Sequence, residues 1–472
     1  MRKSLACVVA IVGLCLPVAA HATVTFERLW QFDSMTYVRG NTAMQTRDGG
    51  FIVGAYVWRA PRLIKTDSLG DTVWVKSFPQ MYNGGYVCQM PGGGYAILGQ
   101  SDGQTTLADI FVARTDSFGD TLWTFRYVGP DDDLTRCFAP TSDGGVVIAG
   151  LFSDATNWNG GLIKVDSAGT LSWVRIFDPD TNVSPYAVQQ TADRGFIIAD
   201  YAPGEGPWVQ KTDSLGEPVW TRHYGYPPYA TFWAVRQTDD GGYVVAGGIY
   251  NVEHDRGDAC LLKLDSFGDT VWTRSYGVDG YMAEAYSVGR TRDGGFILAG
   301  YLMADSSVPH YRVYLIRVDS LGETLWTRTF DGNESLADWG CWVEQCADGG
   351  FVVTGMADGR NVYLIKTDSA GRVYVGVEET ASALAAARRI DARPNPFTRA
   401  CVFQLPRPLA ENEHLKLYDA GGRLVRTLSG SDKLEWDGTD SEGRRLPAGV
   451  YVYSFEEGGQ RLTGKVVLSR SD

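Results

Sequence analysis

Short apolar runs alternate with polar turns along most of the chain, and the alternation repeats as a fixed unit. Residues 285–330 contain one complete unit. Two apolar runs flank an Asp-Gly-Gly turn at residues 293–295, and two more flank an Asp-Ser-Leu-Gly turn at residues 319–322. Glycine supplies the positive φ that a tight hairpin needs, and Asp and Ser stabilise such turns through backbone hydrogen bonds. The pattern predicts two hairpins. Their four strands are expected at residues 285–290, 296–299, 313–318 and 323–330.

The unit occurs seven times. The aspartate of its Asp-Ser-x-Gly turn falls at Asp67, Asp116, Asp166, Asp213, Asp265, Asp319 and Asp368. The steps between these positions run from 47 to 54 residues. A fixed period of this length, with four antiparallel strands in each unit, is typical of β-propeller blades. The sequence therefore predicts an all-β fold with a seven-bladed β-propeller. An open β-solenoid is the alternative, although its repeats are usually shorter and its strands parallel.

A tryptophan recurs in the fourth predicted strand of six units. These residues are Trp74, Trp123, Trp173, Trp220, Trp272 and Trp326. A seventh, Trp30, precedes the first complete unit, and its distance from the next turn matches that of the others. We therefore expect the N-terminal segment to supply the outer strand of the last blade, which would leave no open sheet edge there. The segment around Tyr374 competes for the same place.

The spacing Asp-x-x-Gly-x-x-x-Trp resembles the tryptophan-docking repeats of quinoprotein dehydrogenases. The resemblance covers one turn and the start of one strand in each unit, and it implies that the indole packs between neighbouring blades. The chain lacks the adjacent-cysteine pair and the eight blades of those enzymes. We therefore expect no quinone cofactor.

The composition changes after residue 377. Residues 378–392 are rich in Ala and charge, which is typical of a linker. Beyond them, apolar residues alternate between turn signals and predict a small antiparallel β-sandwich at residues 393–472. Its motifs are Pro-Asn-Pro-Phe at 394–397, Leu-Tyr-Asp at 417–419, Trp-Asp-Gly at 436–438, Ala-Gly-Val-Tyr at 448–451 and an apolar last strand at 465–468.

Those motifs, in that order, resemble the C-terminal sorting domains of type IX secretion cargo and the related immunoglobulin-like domain of flagellar hook-capping proteins. The resemblance spans residues 393–472. It implies recognition by an export machinery, passage across the outer membrane of a Gram-negative-type bacterium, and release or attachment at the cell surface. An accessory sandwich without a sorting role is the alternative.

The N-terminus also indicates export. Arg2 and Lys3 precede an apolar run, and Ala20-His21-Ala22 fits a signal-peptide cleavage pattern. No later stretch is long and apolar enough to cross a bilayer, so we expect no transmembrane segment in the mature chain. The predicted organisation is a signal peptide at 1–22, a seven-bladed propeller at 23–377, a linker at 378–392 and an Ig-like sorting domain at 393–472.

The charge balance narrows the range of partners. The chain has 56 acidic and 43 basic residues, a formal net charge of -13. So acidic a surface is a poor match for nucleic acid. Cations and neutral polymers fit it better.

The sequence contains no recognisable catalytic constellation, and we expect neither an enzyme nor a bound cofactor. The five histidines are scattered, with no metal-ligand spacing. Residues 99–103 match the Gly-x-Ser-x-Gly nucleophile pattern but lie where a strand leaves a blade, not on a strand-to-helix elbow. Asp131, Asp132 and Asp133 are the candidate for Ca²⁺, with a solvated loop as the alternative. The cysteines left after the signal are expected to be mostly free, buried thiols, with Cys341 and Cys346 the one disulfide candidate.

The predicted topology places the two repeated turns of each blade on one face and the variable connections on the other. Variable loops on a rigid scaffold are where binding residues concentrate. Six tryptophans fall in those connections or in the first strand that follows them: Trp58, Trp158, Trp208, Trp233, Trp339 and Trp342. Indole rings beside Asp and Asn suit a sugar. We predict a glycan or surface protein bound there without catalysis, with aromatics packing on blade edges as the alternative. The competing function is a secreted polysaccharide hydrolase or lyase that uses carboxylates in the central funnel.

Overall fold

A computed structural model describes most of the chain and is all-β. It covers residues 24–32, 37–101, 108–153, 158–177, 184–202, 206–225, 230–251, 256–304, 310–331, 338–374, 390–395, 397–405, 409, 413–419, 423–430, 433–457 and 460–469. These residues form strands β1–β35 and no helix. The chain divides into two compact units, Met1–Val373 and Tyr374–Asp472.

The described part of the first unit consists of seven four-stranded antiparallel sheets, so the predicted four-stranded repeat is confirmed. Sheet 1 contains β2 (Val38–Gln45), β3 (Phe51–Val57), β4 (Arg62–Thr66) and β5 (Thr72–Ser77). Sheet 2 contains β6 (Met81–Gln89), β7 (Tyr95–Ser101), β8 (Asp109–Thr115) and β9 (Thr121–Tyr127). Sheet 3 contains β10 (Asp133–Pro140), β11 (Val146–Ser153), β12 (Trp158–Val165) and β13 (Leu171–Ile176). Sheet 4 contains β14 (Ser184–Gln190), β15 (Phe196–Ala202), β16 (Gly206–Thr212) and β17 (Pro218–His223). Sheet 5 contains β18 (Thr231–Gln237), β19 (Tyr243–Asn251), β20 (Arg256–Leu264) and β21 (Thr270–Tyr276). Sheet 6 contains β22 (Tyr281–Arg290), β23 (Phe296–Ala304), β24 (Tyr311–Val318) and β25 (Thr324–Phe330). Sheet 7 contains β26 (Trp339–Gln345), β27 (Phe351–Ala357), β28 (Asn361–Thr367) and the N-terminal strand β1 (Phe26–Trp30).

The Asp-Ser-x-Gly turn ends the third strand of each sheet through its own hydrogen bonds. In sheet 1, Asp67 Oδ1 accepts from the backbone N–H of Leu69 and of Asp71, both at 2.9 Å. Gly70 adopts a φ of 81°, a conformation that residues with a Cβ rarely take. The turn is therefore encoded locally, which is why it could be read from the sequence.

Strand β1 completes sheet 7, as predicted, but the residue assigned to the tryptophan position was wrong. In sheets 1 to 6 that tryptophan lies opposite a basic residue of the third strand, as Trp74 lies opposite Lys65. In sheet 7 the residue opposite Lys366 is Phe26, and Trp30 lies four residues further along the strand. The connection before each first strand varies in length, so counting residues back from the next turn did not define the register.

Each sheet contacts the next along the chain, and sheet 7 contacts sheet 1. The hydrophobic clusters lie between neighbouring sheets rather than inside any one of them. The fourth-strand tryptophan takes part in each contact. The indole of Trp74 lies over Gly119 of the next sheet, where an added Cβ would come within 2.9 Å of it. At the contact between sheets 7 and 1, Phe26 covers Gly70 in the same way.

A largely buried basic residue occupies the third strand of every sheet in this unit. These residues are Lys65, Arg114, Lys164, Lys211, Lys263, Arg317 and Lys366. In six sheets the cation pairs with the aspartate of the first hairpin turn, as Lys164 does with Asp143 at 2.9 Å; this turn is Asp-Gly-Gly in five of them and Asp193-Arg194-Gly195 in sheet 4. Burial acts to raise the pKa of Asp143, but hydrogen bonds from Thr141 and Lys164 outweigh it and lower the pKa to about 2. Sheet 2 has no such aspartate, and there Arg114 donates to the carbonyl of Gly93 instead.

The second unit contains two antiparallel sheets around one hydrophobic core. One sheet has β29 (Asp391–Arg393), β30 (Cys401–Gln404) and β33 (Lys433–Trp436). The other has β31 (Leu415–Tyr418), β32 (Leu424–Leu428), β34 (Gly449–Glu457) and β35 (Gln460–Leu468). Trp436 of the first sheet and Tyr451 of the second pack edge to face, with ring centroids 5.1 Å apart. The alternating apolar pattern therefore produced two sheets that share a core.

Candidate functional site

A cavity of about 580 Å³ lies where the first strands of all seven sheets of the first unit converge. Every one of β2, β6, β10, β14, β18, β22 and β26 contributes lining residues. Its volume falls in the range of small-ligand sites, roughly 300–1,000 Å³. This axial cavity is the candidate site.

Each first strand carries a β-bulge at the same place, and the bulges shape the cavity. The extra residues are Asn41, Gly85, Arg136, Tyr186, Trp233, Tyr286 and Cys341. A bulge leaves one residue out of the ladder and turns its side chain away from the regular alternation. Six of these residues, all except Trp233, were not among the site residues predicted from the sequence. All of them except Gly85 line the cavity.

Four successive bulge residues form a continuous series of side-chain contacts along sheets 3 to 6. The guanidinium of Arg136 lies 5.3 Å from the ring centroid of Tyr186. The Tyr186 and Trp233 rings are 4.4 Å apart, and the Trp233 and Tyr286 rings are 5.3 Å apart. Glu284 fixes the Trp233 indole by accepting its Nε1–H at 2.5 Å. We call these four residues the aromatic arc.

The other side of the cavity, from sheets 7, 1 and 2, has smaller residues at the bulges. Asn41 and Cys341 line it, and Gly85 contributes no side chain. The amide of Asn41 is occupied by the Gly84 carbonyl, to which it donates at 2.9 Å. Because the bulge residues of sheets 7, 1 and 2 are small, the space in front of the aromatic arc stays open for a ligand.

A charged side chain, that of Arg236, also reaches across the cavity from sheet 5 to sheet 7. The guanidinium of Arg236 in sheet 5 lies 4.8 Å from the ring centroid of Trp342 in sheet 7. Gly289 holds the equivalent position in the intervening sheet 6 and has no side chain to block this reach. Burial raises the pKa of Glu344 to about 7, while the positive charge of Arg236 opposes the rise. Burial likewise lowers the pKa of Arg236, against the effect of Glu344.

The structure brings three of the six predicted tryptophans together and separates the rest. Trp233, Trp339 and Trp342 line the axial cavity. Trp58 lies in an exposed turn against Tyr82, and Trp158 is exposed at the start of β12. Trp208 is only 2% exposed and packs edge to face on Phe177, so it belongs to the core between sheets.

The sequence reasoning missed the bulge residues as a set, although a signal was present. Each lies seven residues before the position that the paired aspartate of the first hairpin turn takes, as Tyr186 precedes Asp193 and Trp233 precedes Asp240; in sheet 2 that position is Gly92. The spacing is constant because both positions belong to one hairpin. Comparing the residue at this position in every repeat would have identified Arg136, Tyr186, Trp233 and Tyr286 from the sequence alone.

The three aspartates considered for calcium lie at the start of sheet 3, where β10 begins at Asp133, and two of them accept hydrogen bonds from the protein backbone. Asp132 accepts from the Ala108 N–H at 2.7 Å, and Asp133 accepts from the Gly129 N–H at 3.0 Å. Burial raises the pKa of Asp133 to about 7, and the negative charge of Asp109 adds to the rise. Asp109 in turn receives a hydrogen bond from Arg126 Nε at 2.7 Å. Within the described residues, no group of three or more His, Cys, Asp or Glu could hold a metal ion.

The cysteines in the described residues are free thiols, and Cys341 and Cys346 are not joined. Cys341 faces the cavity, whereas Cys346 is buried in the core. No helix in the described part of the chain is long and apolar enough to cross a membrane.

No protein-family model matches the sequence, and no curated protein matches it. Several solved structures are similar at low identity. A protein of unknown function from Bacteroides caccae has 14% identity and a TM-score of 0.39, covering 59% of this chain and 92% of its own. The Neurospora crassa Pan2 WD40 domain has 11% identity and a TM-score of 0.35, covering 60% and 89%. PorZ, a bacterial surface component of the type-IX secretion system of Porphyromonas gingivalis, has 10% identity and a TM-score of 0.21, covering 91% and 81%.

Proposed function

We propose that the chain is an exported, cell-surface binding protein whose seven sheets form a seven-bladed propeller, and that the axial cavity of this propeller holds a glycan without cleaving it. The C-terminal unit would be the Ig-like sorting domain that directs the protein through the export machinery. The proposed location is the outer surface of a Gram-negative-type bacterium, or the medium around it.

The observation that carries the proposal is the lining of the axial cavity. Aromatic rings from three successive sheets contact one another in tilted and edge-to-face pairs in the aromatic arc, and Trp339 and Trp342 add aromatic surface on sheet 7. Sugar rings stack their C–H faces on such surfaces. Polar side chains that line the same cavity, including those of Gln189 and Glu344, could bind hydroxyls.

Binding is favoured over hydrolysis because the cavity holds too few carboxylates. Most glycosidases need two, one as acid and one as base or nucleophile. Glu344 is the one carboxylate among the described residues that line the cavity, and its raised pKa would suit an acid. A hydrolase or lyase therefore stays the second candidate, distinguished by release of shorter sugars.

The test is a glycan array with the purified protein and two variants. Trp342→Ala removes a ring from the cavity, and Trp58→Ala removes an exposed ring outside it. We expect saturable retention of one glycan class by the wild-type protein and by Trp58→Ala. Trp342→Ala should weaken it about tenfold, since an aromatic contact contributes roughly 1 kcal/mol beyond its buried area.

Melting temperatures of both variants show whether the fold is intact. If Trp342→Ala retains the glycan as well as the wild type does, the axial cavity is not the binding site. Retention of a protein instead of any glycan would replace the ligand class, and release of oligosaccharides over time would establish the hydrolase or lyase.

The export part of the proposal has its own test. Deleting residues 393–472 should keep the protein inside a bacterium that has type IX secretion, while the full chain reaches the surface or the medium. Equal export of both forms would show that the C-terminal unit is an accessory sandwich.

A further inference from the structure

The charged residues that line the axial cavity contrast with the rest of the protein. The chain as a whole has a net charge of -13. Among the described lining residues, the charged ones are three arginines, Arg39, Arg136 and Arg236, and one glutamate, Glu344. An acidic protein that gathers its cations in one cavity creates a local field that attracts anions.

Two of the three guanidiniums have unused hydrogen-bonding capacity. Arg39 stacks over Tyr37 and Tyr56 at 5.9 and 5.8 Å, and Arg136 stacks over Tyr186 at 5.3 Å. These ring contacts occupy the face of each guanidinium, and Arg39 also has a side-chain hydrogen bond with Tyr37. The Nε atoms of Arg39 and Arg136 are buried without a hydrogen-bond partner in the protein. A buried donor of this kind is costly unless a ligand or water satisfies it.

The three arginines also share the lining of one cavity. Burial raises the pKa of the Tyr86 phenol, and the positive charges of Arg39 and Arg136 oppose the rise, so both lie within electrostatic reach of one hydroxyl. The charges of Arg136 and Arg236 act together on Cys137 in the same way, although burial dominates there and raises the pKa of the thiol to about 12. Like charges in one cavity repel, and an anion bound between Arg39 and Arg136 would offset that repulsion.

We propose that the glycan is acidic, and that its carboxylate or sulfate group binds between Arg39 and Arg136 while the sugar ring stacks on the aromatic arc. This inference rests on the proposed function and names the ligand class of the same site. Guanidinium groups bind planar anions through paired N–H donors, and their stacking on tyrosine limits the entropy lost on binding. The few acidic groups in the cavity leave the anion without a strong competitor.

The experiment is calorimetric titration of the purified protein with three sugars of equal length: an oligogalacturonate, a sulfated galacto-oligosaccharide and neutral galacto-oligosaccharide. Arg136→Gln removes one cation from the cavity while keeping a donor of similar length. Arg274→Gln is the matched control. Arg274 also stacks on an aromatic ring, that of Trp272, but it pairs with Glu323 outside the cavity. Arg39→Gln provides an independent second variant.

We expect one acidic sugar to bind at least about tenfold more tightly than the neutral one, with the preference falling as salt rises. Arg136→Gln and Arg39→Gln should each weaken the acidic sugar about tenfold or more, since a hydrogen bond to a charged group is involved. Neutral binding and the control variant should be unaffected. The comparison of oligogalacturonate with the sulfated sugar tells which anion is bound.

Several results would overturn the inference. Equal affinity for acidic and neutral sugars, together with unchanged binding by Arg136→Gln, would leave the binding function intact and remove the anion. Binding of mononucleotides in preference to every sugar would reject the sugar ring. Failure of all sugars, while melting shows a folded protein, would reject this inference and the proposed function together. If one variant melts early, the salt dependence of the wild-type protein still decides the question.

Discussion

Sheet 2 is a natural test of what the buried ion pair contributes, because it has the cation without the carboxylate. Gly92 occupies the place that Asp143 takes in sheet 3. Its φ is not in the left-handed region, and a Cβ added there would meet nothing within 4 Å. In sheet 6, Arg317 Nη2 donates to Asp293 at 2.6 Å, whereas in sheet 2 the Nη2 of Arg114 donates to the Gly93 carbonyl. Burial lowers the pKa of the unpaired Arg114. We therefore expect Gly92→Asp to stabilise the protein.

The size of the gain has two parts. Replacing a glycine whose backbone suits other residues restricts the unfolded chain, which contributes about 0.4–1 kcal/mol. The new ion pair adds about 0.5–1 kcal/mol, a modest value because the equivalent Asp293 carboxylate is 65% exposed and solvent screens it. The sum is about 1–2 kcal/mol. With an unfolding entropy of about 2.1 cal/mol/K per residue, this raises the melting temperature of the first unit by about 1–3 °C.

The assay is thermal unfolding of the wild type, Gly92→Ala and Gly92→Asp at pH 7 and near pH 2. Gly92→Ala carries only the backbone part, so the difference between the two variants isolates the pair. Equivalent aspartates have a lowered folded pKa, about 2 for Asp143. Stability from a lowered carboxyl pKa is complete above the unfolded value near 4 and is lost as pH falls through the folded value. The advantage of Asp over Ala should therefore vanish near pH 2.

Two results would refute this reasoning. Gly92→Asp could prove no more stable than Gly92→Ala at neutral pH, or its advantage could persist in acid. A further check is Arg114→Met in the Gly92→Asp background. It should remove the gain, because the carboxylate then has no cation to pair with.

Three further predictions concern other parts of the first unit. Phe26→Ala should lower the free energy of unfolding by about 3–5 kcal/mol, because Phe26 is 97% buried, and Trp30→Ala should lower it far less. Equal losses for the two variants in urea unfolding would contradict the register of β1. Asp133→Asn should stabilise the protein more at pH 8 than at pH 5. The raised pKa of Asp133, about 7, means that the stability of the wild type falls as pH rises between about 4 and 7. An advantage of the variant that does not change with pH would show that Asp133 is not held protonated. The thiols of Cys88 and Cys346, whose pKa burial raises to about 12, should react with a thiol reagent at pH 8 only after denaturation, and rapid labelling of the native protein would disprove their burial.

The sequence predicted the repeat well because its signals are local. The turn at Asp67–Gly70 forms from hydrogen bonds within five residues, so its chemistry is visible in the letters alone. The register of β1 was not visible in the same way. Phe26 and Trp30 are both aromatic, and the choice between them depends on pairing with Lys366 at the far end of the unit.

The candidate site was predicted only in part for a related reason. Trp233, Trp339 and Trp342 were predicted as aromatics of the variable connections or of the first strand after them, and they line the cavity because their strands converge there. The arginines were passed over because composition pointed to an acidic surface. A net charge averages over the whole chain and cannot show that Arg39 and Arg136 line the same cavity.

The pairing of β1 with β28 also makes the start of the chain depend on its late residues. Phe26 finds its partner, Lys366, only after all the intervening repeats have been synthesised. A product that stops before β28 keeps β1 with no edge to join, and an unpaired strand is readily cleaved or drawn into aggregates. A copy that ends before β28 therefore exposes its first strand to proteases and to aggregation, whereas a copy with a complete first unit does not.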